Sequence, residues 1–336
     1  MEKRCLKTRA LVACAALSFA LAGLPGAASA QDLSGPGIAY VSDERSSTIT
    51  VIDYLSGEQL ASWEVGNRPR GITLTPDGKY LLICASLDNT VEMRDRLTGE
   101  LVATLPSGND PEQFFMGRDG RLLFVANEDN AAVTAVDWRE RRVAWQVAVG
   151  EEPEGVTESP DGKWLLVTSE EDHTVAWIDT ASREVVKEVE TDARPRHVEF
   201  VPSGKEVWVA AEMGGTVQVM DTATQEITDT ISFAPSGVAS YRVLPCGIRF
   251  TPDGKTAVIA LGRADMIAIV DVASREVLDY VATGGRPWHL AITPDGKTAL
   301  VANGTSDDVA VVDLASRKVM RTIAAGNGPW GVVLAP

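Results

Sequence analysis

A proline-centred segment recurs seven times along the chain, and the two residues after each proline differ between copies. These positions carry guanidinium, carboxylate, imidazole and indole groups, which can bind polar ligands, move protons or stack on an apolar surface. The first positions are, in chain order, Arg70, Glu112, Glu154, Arg196, Cys246, Trp288 and Trp330. The second positions are Gly71, Gln113, Gly155, His197, Gly247, His289 and Gly331. The variable pairs predict a ligand site wherever the fold brings them together.

Two narrower chemistries follow from the same positions. His197 and His289 lie on either side of Cys246 in the series, and imidazole and thiolate groups bind metals. Cys246 holds a first position and the histidines hold second positions, so their side chains diverge on a strand and no metal is expected. Glu112 and Glu154, on successive copies, could form an acid–base pair. A repeat also places like residues at like sites, which is the simpler explanation of this pair.

Two sets of turn residues reveal the element that positions these side chains. Asp77, Asp119, Asp161, Ser203, Asp253 and Asp295 mark turns such as TPDGK, and most are 42 residues apart. A second series, from Asp53 to Asp313, closes apolar runs such as TITVID with the same period. Both series place one insertion of eight residues between Asp221 and Asp253.

Each period contains β-branched residues in alternation and a turn signal every 8–12 residues, which predicts four short antiparallel strands. A period of this length with four strands is typical of a β-propeller blade. The sequence predicts an all-β, seven-bladed propeller over residues 31–336, with Pro69 opening blade 1. Blade 7 combines residues 38–65 with residues 329–334, so that the paired termini close the ring and protect its edges.

Alternation along the blade assigns the loops to two faces. The turn face carries the uniform PDGK turns, and the crossing face carries the blade-to-blade crossings and the variable loops between second and third strands. Because each crossing proline begins an innermost strand, the variable pairs should surround the channel mouth on the crossing face, where we expect the ligand. The inserted loop should fold across this mouth, with Tyr241 and Arg242 as contacts.

The first 30 residues are expected to leave the chain. A basic start, a short apolar run and Ala28-Ser29-Ala30 are typical of a secretory signal peptide, which predicts a periplasmic or secreted protein without a membrane span. Removal of these residues changes the formal net charge from −16 to about −19. That charge excludes nucleic acid as a partner and favours cationic ones. Cys84 and Cys246 fall on non-adjacent blades and are expected to be free thiols.

The segments YVSDERSSTITVID and NRPRGITLTPDGKYLL resemble the YVTN-type β-propeller repeat over the whole mature chain. The exported seven-blade layout, the long loop before blade 5 and the PWH segment resemble, more narrowly, propellers associated with PQQ-dependent alcohol catabolism. Those propellers are encoded beside quinoprotein dehydrogenases, c-type cytochromes and an ABC exporter. The resemblance implies an association with PQQ, and a dehydrogenase or cytochrome as partner.

The chain contains no nucleophile elbow, P-loop, haem-attachment motif or paired-cysteine zinc pattern. A binding or accessory protein is therefore favoured over an enzyme. Two alternatives stay open, a redox subunit of a quinoprotein-type dehydrogenase and a docking scaffold whose acidic rim attracts a basic cytochrome c. The sequence names neither the ligand nor a cofactor.

Overall fold

The computed structural model describes residues 33–336, so the predicted signal peptide lies outside the described residues. Within this range the backbone forms β-strands and four short 3-10 helices. The first strands are β1 (Ile38–Asp43), β2 (Thr48–Asp53), β3 (Glu58–Glu64), β4 (Pro69–Leu74), β5 (Tyr80–Ala85), β6 (Thr90–Asp95), β7 (Leu101–Pro106), β8 (Pro111–Met116), β9 (Leu122–Asn127), β10 (Ala132–Asp137), β11 (Arg142–Ala148), β12 (Pro153–Glu158), β13 (Trp164–Ser169) and β14 (Thr174–Asp179). The remaining strands are β15 (Glu184–Glu190), β16 (Pro195–Phe200), β17 (Glu206–Ala211), β18 (Thr216–Asp221), β19 (Glu226–Ser232), β20 (Ile248–Phe250), β21 (Thr256–Ala260), β22 (Met266–Asp271), β23 (Val277–Ala282), β24 (Pro287–Ile292), β25 (Thr298–Asn303), β26 (Asp308–Asp313), β27 (Lys318–Ala324) and β28 (Pro329–Leu334). The 3-10 helices are Ser86–Asp88, Glu128–Asn130, Ser240–Arg242 and Gly262–Ala264.

The strands form seven antiparallel sheets of four, and the innermost strand of each sheet contacts the innermost strands of its neighbours around a ring. The predicted seven-bladed β-propeller is therefore confirmed. Blades 1 to 6 are continuous in sequence and begin with β4, β8, β12, β16, β20 and β24. In the described part of the chain, no helix is long and apolar enough to cross a membrane.

Blade 7 joins the two ends of the described chain. Its strand order is β28-β1-β2-β3, and β28 pairs antiparallel with β1, with Val41 opposite Val332 and Ala39 opposite Leu334. Both Val41 and Val332 are buried, so the closure adds a packed interface to the hydrogen-bonded ladder. The predicted closure by terminal strands is confirmed.

The repeated turns hold the strands in register. Thr75 Oγ1 donates to Asp77 Oδ1 at 2.7 Å, and Gly78 has a φ of +66°, a conformation that few residues other than glycine adopt easily. Thr251 with Asp253 and Thr293 with Asp295 repeat this bond at 2.7 and 2.6 Å. The recurrence explains why this segment is copied so faithfully between blades.

The core consists of apolar clusters between successive blades. Trp177 and Trp208 are fully buried in two of these clusters. Cys84 lies in the cluster of blades 1 and 2, and Cys246 lies in that of blades 5 and 6. Both cysteines are free, as the sequence predicts, and burial raises the pKa of each thiol.

Candidate functional site

The central channel differs between its two ends. Each innermost strand runs from the crossing face to the turn face, and in β4 and β8 the first three residues are buried while the last three are partly exposed. In β24 and β28 the last two residues are likewise partly exposed. The burial pattern shows a channel that is filled near the crossing face and open towards the turn face.

Ion pairs fill the crossing-face end. Arg196 Nε lies 2.7 Å from Glu154 Oε2 and 2.7 Å from Glu170 Oε1, and its Nη1 lies 3.1 Å from Glu212 Oε2. All four side chains are more than nine-tenths buried. The three carboxylates come from three loops or strands that meet only in the folded ring.

Two more arginines complete this crossing-face ion cluster. Arg194 Nη2 lies 2.6 Å from Glu170 Oε2, and Arg286 Nη2 lies 2.6 Å from Glu212 Oε1. The guanidinium groups of Arg196 and Arg286 also lie over Trp288, 5.2 and 4.1 Å from the ring centroid. Trp288 therefore serves as a stacking surface for the cluster, as well as being a predicted ligand contact.

Glu154 and Glu170 behave as an acid–carboxylate pair that shares one proton. Burial opposes ionisation of Glu154, but Arg196 outweighs burial and lowers its pKa to about 2. Burial and the charge of Glu154 raise the pKa of Glu170 to about 9. Because both groups are enclosed, this proton serves the internal charge balance of the cluster.

Arg70 and Glu112 form a second buried pair on blades 1 and 2. Arg70 also contacts Glu44 Oε1 at 2.9 Å, and Arg68 Nη1 contacts Asp110 Oδ2 at 3.0 Å. Among the described residues, the acidic group with metal-like spacing lies here and consists of Asp110, Glu112 and Glu128. Arg68 and Arg70 neutralise this group, so we assign it to ion pairing.

The second-position histidines meet on the channel axis. The rings of His197 and His289 lie 5.4 Å apart, and His289 lies 4.1 Å from the ring of Trp330. Burial lowers the pKa of both histidines, so both are neutral at pH 7. Cys246 Sγ instead donates to Leu244 O at 3.3 Å, so the sequence-suggested set of His197, Cys246 and His289 does not converge as metal ligands.

The open part of the channel contains two adjoining cavities of about 250 and 40 Å³. Six polar side chains line these cavities, beside apolar side chains that include Ile72 and Phe114. The polar lining residues are Thr73, Gln113, His197, Glu199, Arg249 and His289. An apolar pocket with a few convergent polar groups is the usual form of a small-molecule site. Two larger grooves on the turn face, of about 370 and 520 Å³, are lined mainly by turn residues that recur between blades.

Arg249 is the cation of the larger cavity. Its Nη1 donates to Glu199 Oε2 at 3.0 Å, to Ile248 O at 2.9 Å and to His197 Nε2 at 3.0 Å. Burial opposes ionisation of Glu199, but Arg249 outweighs burial and keeps its pKa below the usual value.

The inserted segment does not bridge the channel. Phe233 and Val243 pack into the core of blades 4 and 5, and Arg242 Nη2 pairs with Asp265 Oδ2 at 3.2 Å on the crossing face. Tyr241 is 79 % exposed. The expectation of a loop across the mouth is not met, because these apolar residues hold the segment against the blades.

The structure thus divides the predicted site residues into two groups. Arg70, Glu112, Glu154 and Arg196 are held in ion pairs at the filled end of the channel. His197, His289 and Trp330 reach the cavities, whereas Trp288 stacks beneath the crossing-face ion cluster. Their role as ligand contacts stays a prediction.

Sequence reasoning missed Glu199 and Arg249. Each lies two residues after a second position, so it shares the strand face of His197 or Gly247. The other five blades carry uncharged residues at this position, namely Thr73, Phe115, Thr157, Ala291 and Val333. The charge difference was therefore visible in the sequence, although its position in the channel was not.

The comparisons with known proteins agree on the architecture. Residues 179–329 match the family model described as Lactonase, 7-bladed beta-propeller. This match covers less than half of the chain but includes His197, Glu199, Arg249 and His289. No curated protein matches the chain.

Solved structures with similar folds come from proteins of different names. Hydrazine Synthase of Kuenenia stuttgartiensis aligns with a TM-score of 0.75 and 22 % identity, over 87 % of this chain and 99 % of that chain. The periplasmic gluconolactonase PpgL of Pseudomonas aeruginosa aligns with a TM-score of 0.74 and 21 % identity, over 89 % and 99 %. A functionally unknown protein from Desulfotomaculum acetoxidans DSM 771 aligns with a TM-score of 0.75 and 14 % identity, over 89 % and 99 %. At these identities the likeness shows the propeller fold alone.

Proposed function

We propose that the protein is an exported binding protein that takes a small organic ligand into the open end of its central channel. One observation carries this proposal. The channel is filled by ion pairs at the crossing face, and towards the turn face it keeps a cavity of about 250 Å³ with Arg249, Glu199 and His197 in its wall. The ligand is placed at the opposite end from the mouth expected from the sequence, because the residues at that mouth already bind one another.

The cellular setting of this role comes from the sequence. The signal-peptide pattern in residues 1–30 supports export to the periplasm. The resemblance to propellers of PQQ-dependent alcohol catabolism supports an accessory role beside a quinoprotein dehydrogenase or a c-type cytochrome. Within the proposal, the propeller would deliver or sense a small molecule for that system.

Lactone hydrolysis is the second candidate function, and the family-model match over residues 179–329 favours it. Hydrolysis needs a general base or an activated nucleophile beside the ligand. Glu199 is the carboxylate that lines the cavity, and Arg249 lowers its pKa, which makes it a weak base. Glu154 and Glu170 are enclosed in the crossing-face ion cluster. Binding therefore fits the geometry better than catalysis.

A channel-filling variant tests the binding role. Thr73 is partly exposed in the cavity wall, so Thr73→Trp is expected to fill the open end and abolish ligand retention, with little change in thermal stability. Native mass spectrometry of protein taken directly from the periplasm measures the retained ligand. Thr305→Trp, at an exposed position of the crossing face, is the matched control and should retain the ligand fully. Retention by Thr73→Trp together with loss by Thr305→Trp would place the site at the crossing face. Measurable hydrolysis of a lactone, abolished by Thr73→Trp, would favour the second candidate.

A further inference from the structure

Arg249 has an unused hydrogen-bonding edge in the channel. Its three hydrogen bonds all involve Nη1, and among residues 33–336 its Nε and Nη2 have no hydrogen-bond partner. These two nitrogens form the edge of a guanidinium group that binds a carboxylate through two parallel hydrogen bonds. The guanidinium is partly exposed, at 37 % for the side chain, so a ligand in the cavity can reach it.

The contacts on Nη1 hold this edge in place. Nη1 is fixed by a carboxylate, a backbone carbonyl and the Nε2 atom of a buried, neutral histidine. A guanidinium group held on one side loses less conformational freedom when its other side binds a ligand. Arg249 is therefore preorganised as an anion-binding group.

The charged groups around the cavity restrict the chemical class of the ligand further. Glu199 uses Oε2 to bind Arg249, and among residues 33–336 its Oε1 accepts no hydrogen bond. Arg118 stacks 5.1 Å from the ring centroid of Phe115 in the cavity wall, and its charge contributes to the lowered pKa of Glu199. The positive charges of Arg249 and Arg118 thus outnumber the one carboxylate that lines the cavity, which favours a ligand anion, and the free Oε1 of Glu199 can accept a hydrogen bond from a ligand donor.

We propose, resting on the channel-binding function above, that the ligand is a small carboxylate bearing a hydroxyl group. Its carboxylate pairs with Nε and Nη2 of Arg249, and its hydroxyl donates to Oε1 of Glu199. The apolar wall of Ile72, Phe114 and Val156 covers its carbon chain. The cavity of about 250 Å³ is open on one side and admits a small ligand of this class.

Isothermal titration calorimetry with defined probes tests this ligand class. Glycerate and gluconate should bind, whereas glycerol and glucose, which lack the carboxylate, should not bind measurably. Propionate lacks the hydroxyl and should bind at least about 10-fold more weakly than glycerate, since a hydrogen bond to a charged group changes affinity by this order. Alanine carries an ammonium group where lactate carries its hydroxyl, and tighter binding of alanine than of lactate would overturn the hydroxyl assignment.

Two substitutions assign the contacts. Arg249→Met should weaken glycerate binding at least about 10-fold, while Arg263→Met, at an exposed position of the same blade, should leave it unchanged. Glu199→Gln should bring the affinities for glycerate and propionate closer together. Equal binding of glycerate by Arg249→Met and wild type would overturn the proposal.

The failure of this proposal can be told apart from failure of the channel-binding function. A retained molecule that Thr73→Trp excludes, but that carries no carboxylate, would overturn the ligand class and leave the binding function intact. Glycerate binding that Thr73→Trp leaves unchanged would overturn the channel site itself.

Discussion

Replacement of Arg196 by methionine is expected to destabilise the protein by about 3–5 kcal/mol, the range measured when one partner of a buried ion pair is removed. The substitution leaves Glu154, Glu170 and Glu212 buried around an apolar side chain. Chemical denaturation followed by tryptophan fluorescence measures the loss. Arg263→Met, at an exposed position that forms no ion pair with residues 33–336, should stay within about 0.5 kcal/mol of wild type.

The pH dependence identifies the cause of this destabilisation. Arg196 holds the folded-state pKa of Glu154 at about 2, and without it burial raises this pKa above the unfolded value of about 4.3. When the pKa of a carboxyl group is higher in the folded state than in the unfolded state, the free energy of unfolding falls as the pH rises from the lower to the higher pKa. The deficit of Arg196→Met relative to wild type should therefore be smaller at pH 5 than at pH 8. A deficit below about 1 kcal/mol that does not change with pH would contradict the assignment of a buried ion cluster.

Removal of residues 328–336 is expected to abolish cooperative unfolding of the propeller. The deletion removes β28, exposes the backbone edge of β1 and unpacks Trp330 and Val332, which are both buried. Burial of large apolar side chains contributes about 1.5–3 kcal/mol each, and a domain is stable by only about 5–15 kcal/mol. The loss of the ladder and the packing is therefore comparable with the total stability.

A circular permutant separates the loss of pairing from the loss of chain length. In this variant residues 329–336 precede residue 38, joined to it by a copy of the PDGK turn, and the chain ends at Asn327. The permutant restores the order β28-β1-β2-β3 within one continuous segment and should unfold cooperatively, as the wild type does. Cooperative unfolding of the deletion variant, seen by calorimetry, would show that blade 7 does not depend on the terminal strand.

The fold could be predicted from the sequence because the repeat encodes it locally. The Thr75–Asp77 bond and the positive φ of Gly78 are contacts between residues that are close in sequence, and they recur with the period of the chain. The terminal pairing of β1 with β28 also follows from the period, because the first and last segments supply complementary parts of one blade.

The site could be predicted only in part, because its contacts join different blades. Arg196 was recognised as variable, but its partner Glu170 lies on a loop of the preceding blade that the sequence does not connect with it. Arg70 likewise meets Glu44, which lies on the neighbouring blade 7. Because of these inter-blade pairs, several predicted ligand contacts bind one another and fill the crossing-face end of the channel. The open cavity lies instead beside Arg249, towards the turn face.

A crystal structure of the protein carrying its retained ligand tests the central claim most directly. We expect electron density for the ligand in the channel between Ile72 and Phe114, with a carboxylate within hydrogen-bond distance of Arg249 Nε and Nη2. Ligand density on the crossing face beside Trp288 and Tyr241, with only water in the channel, would contradict the account.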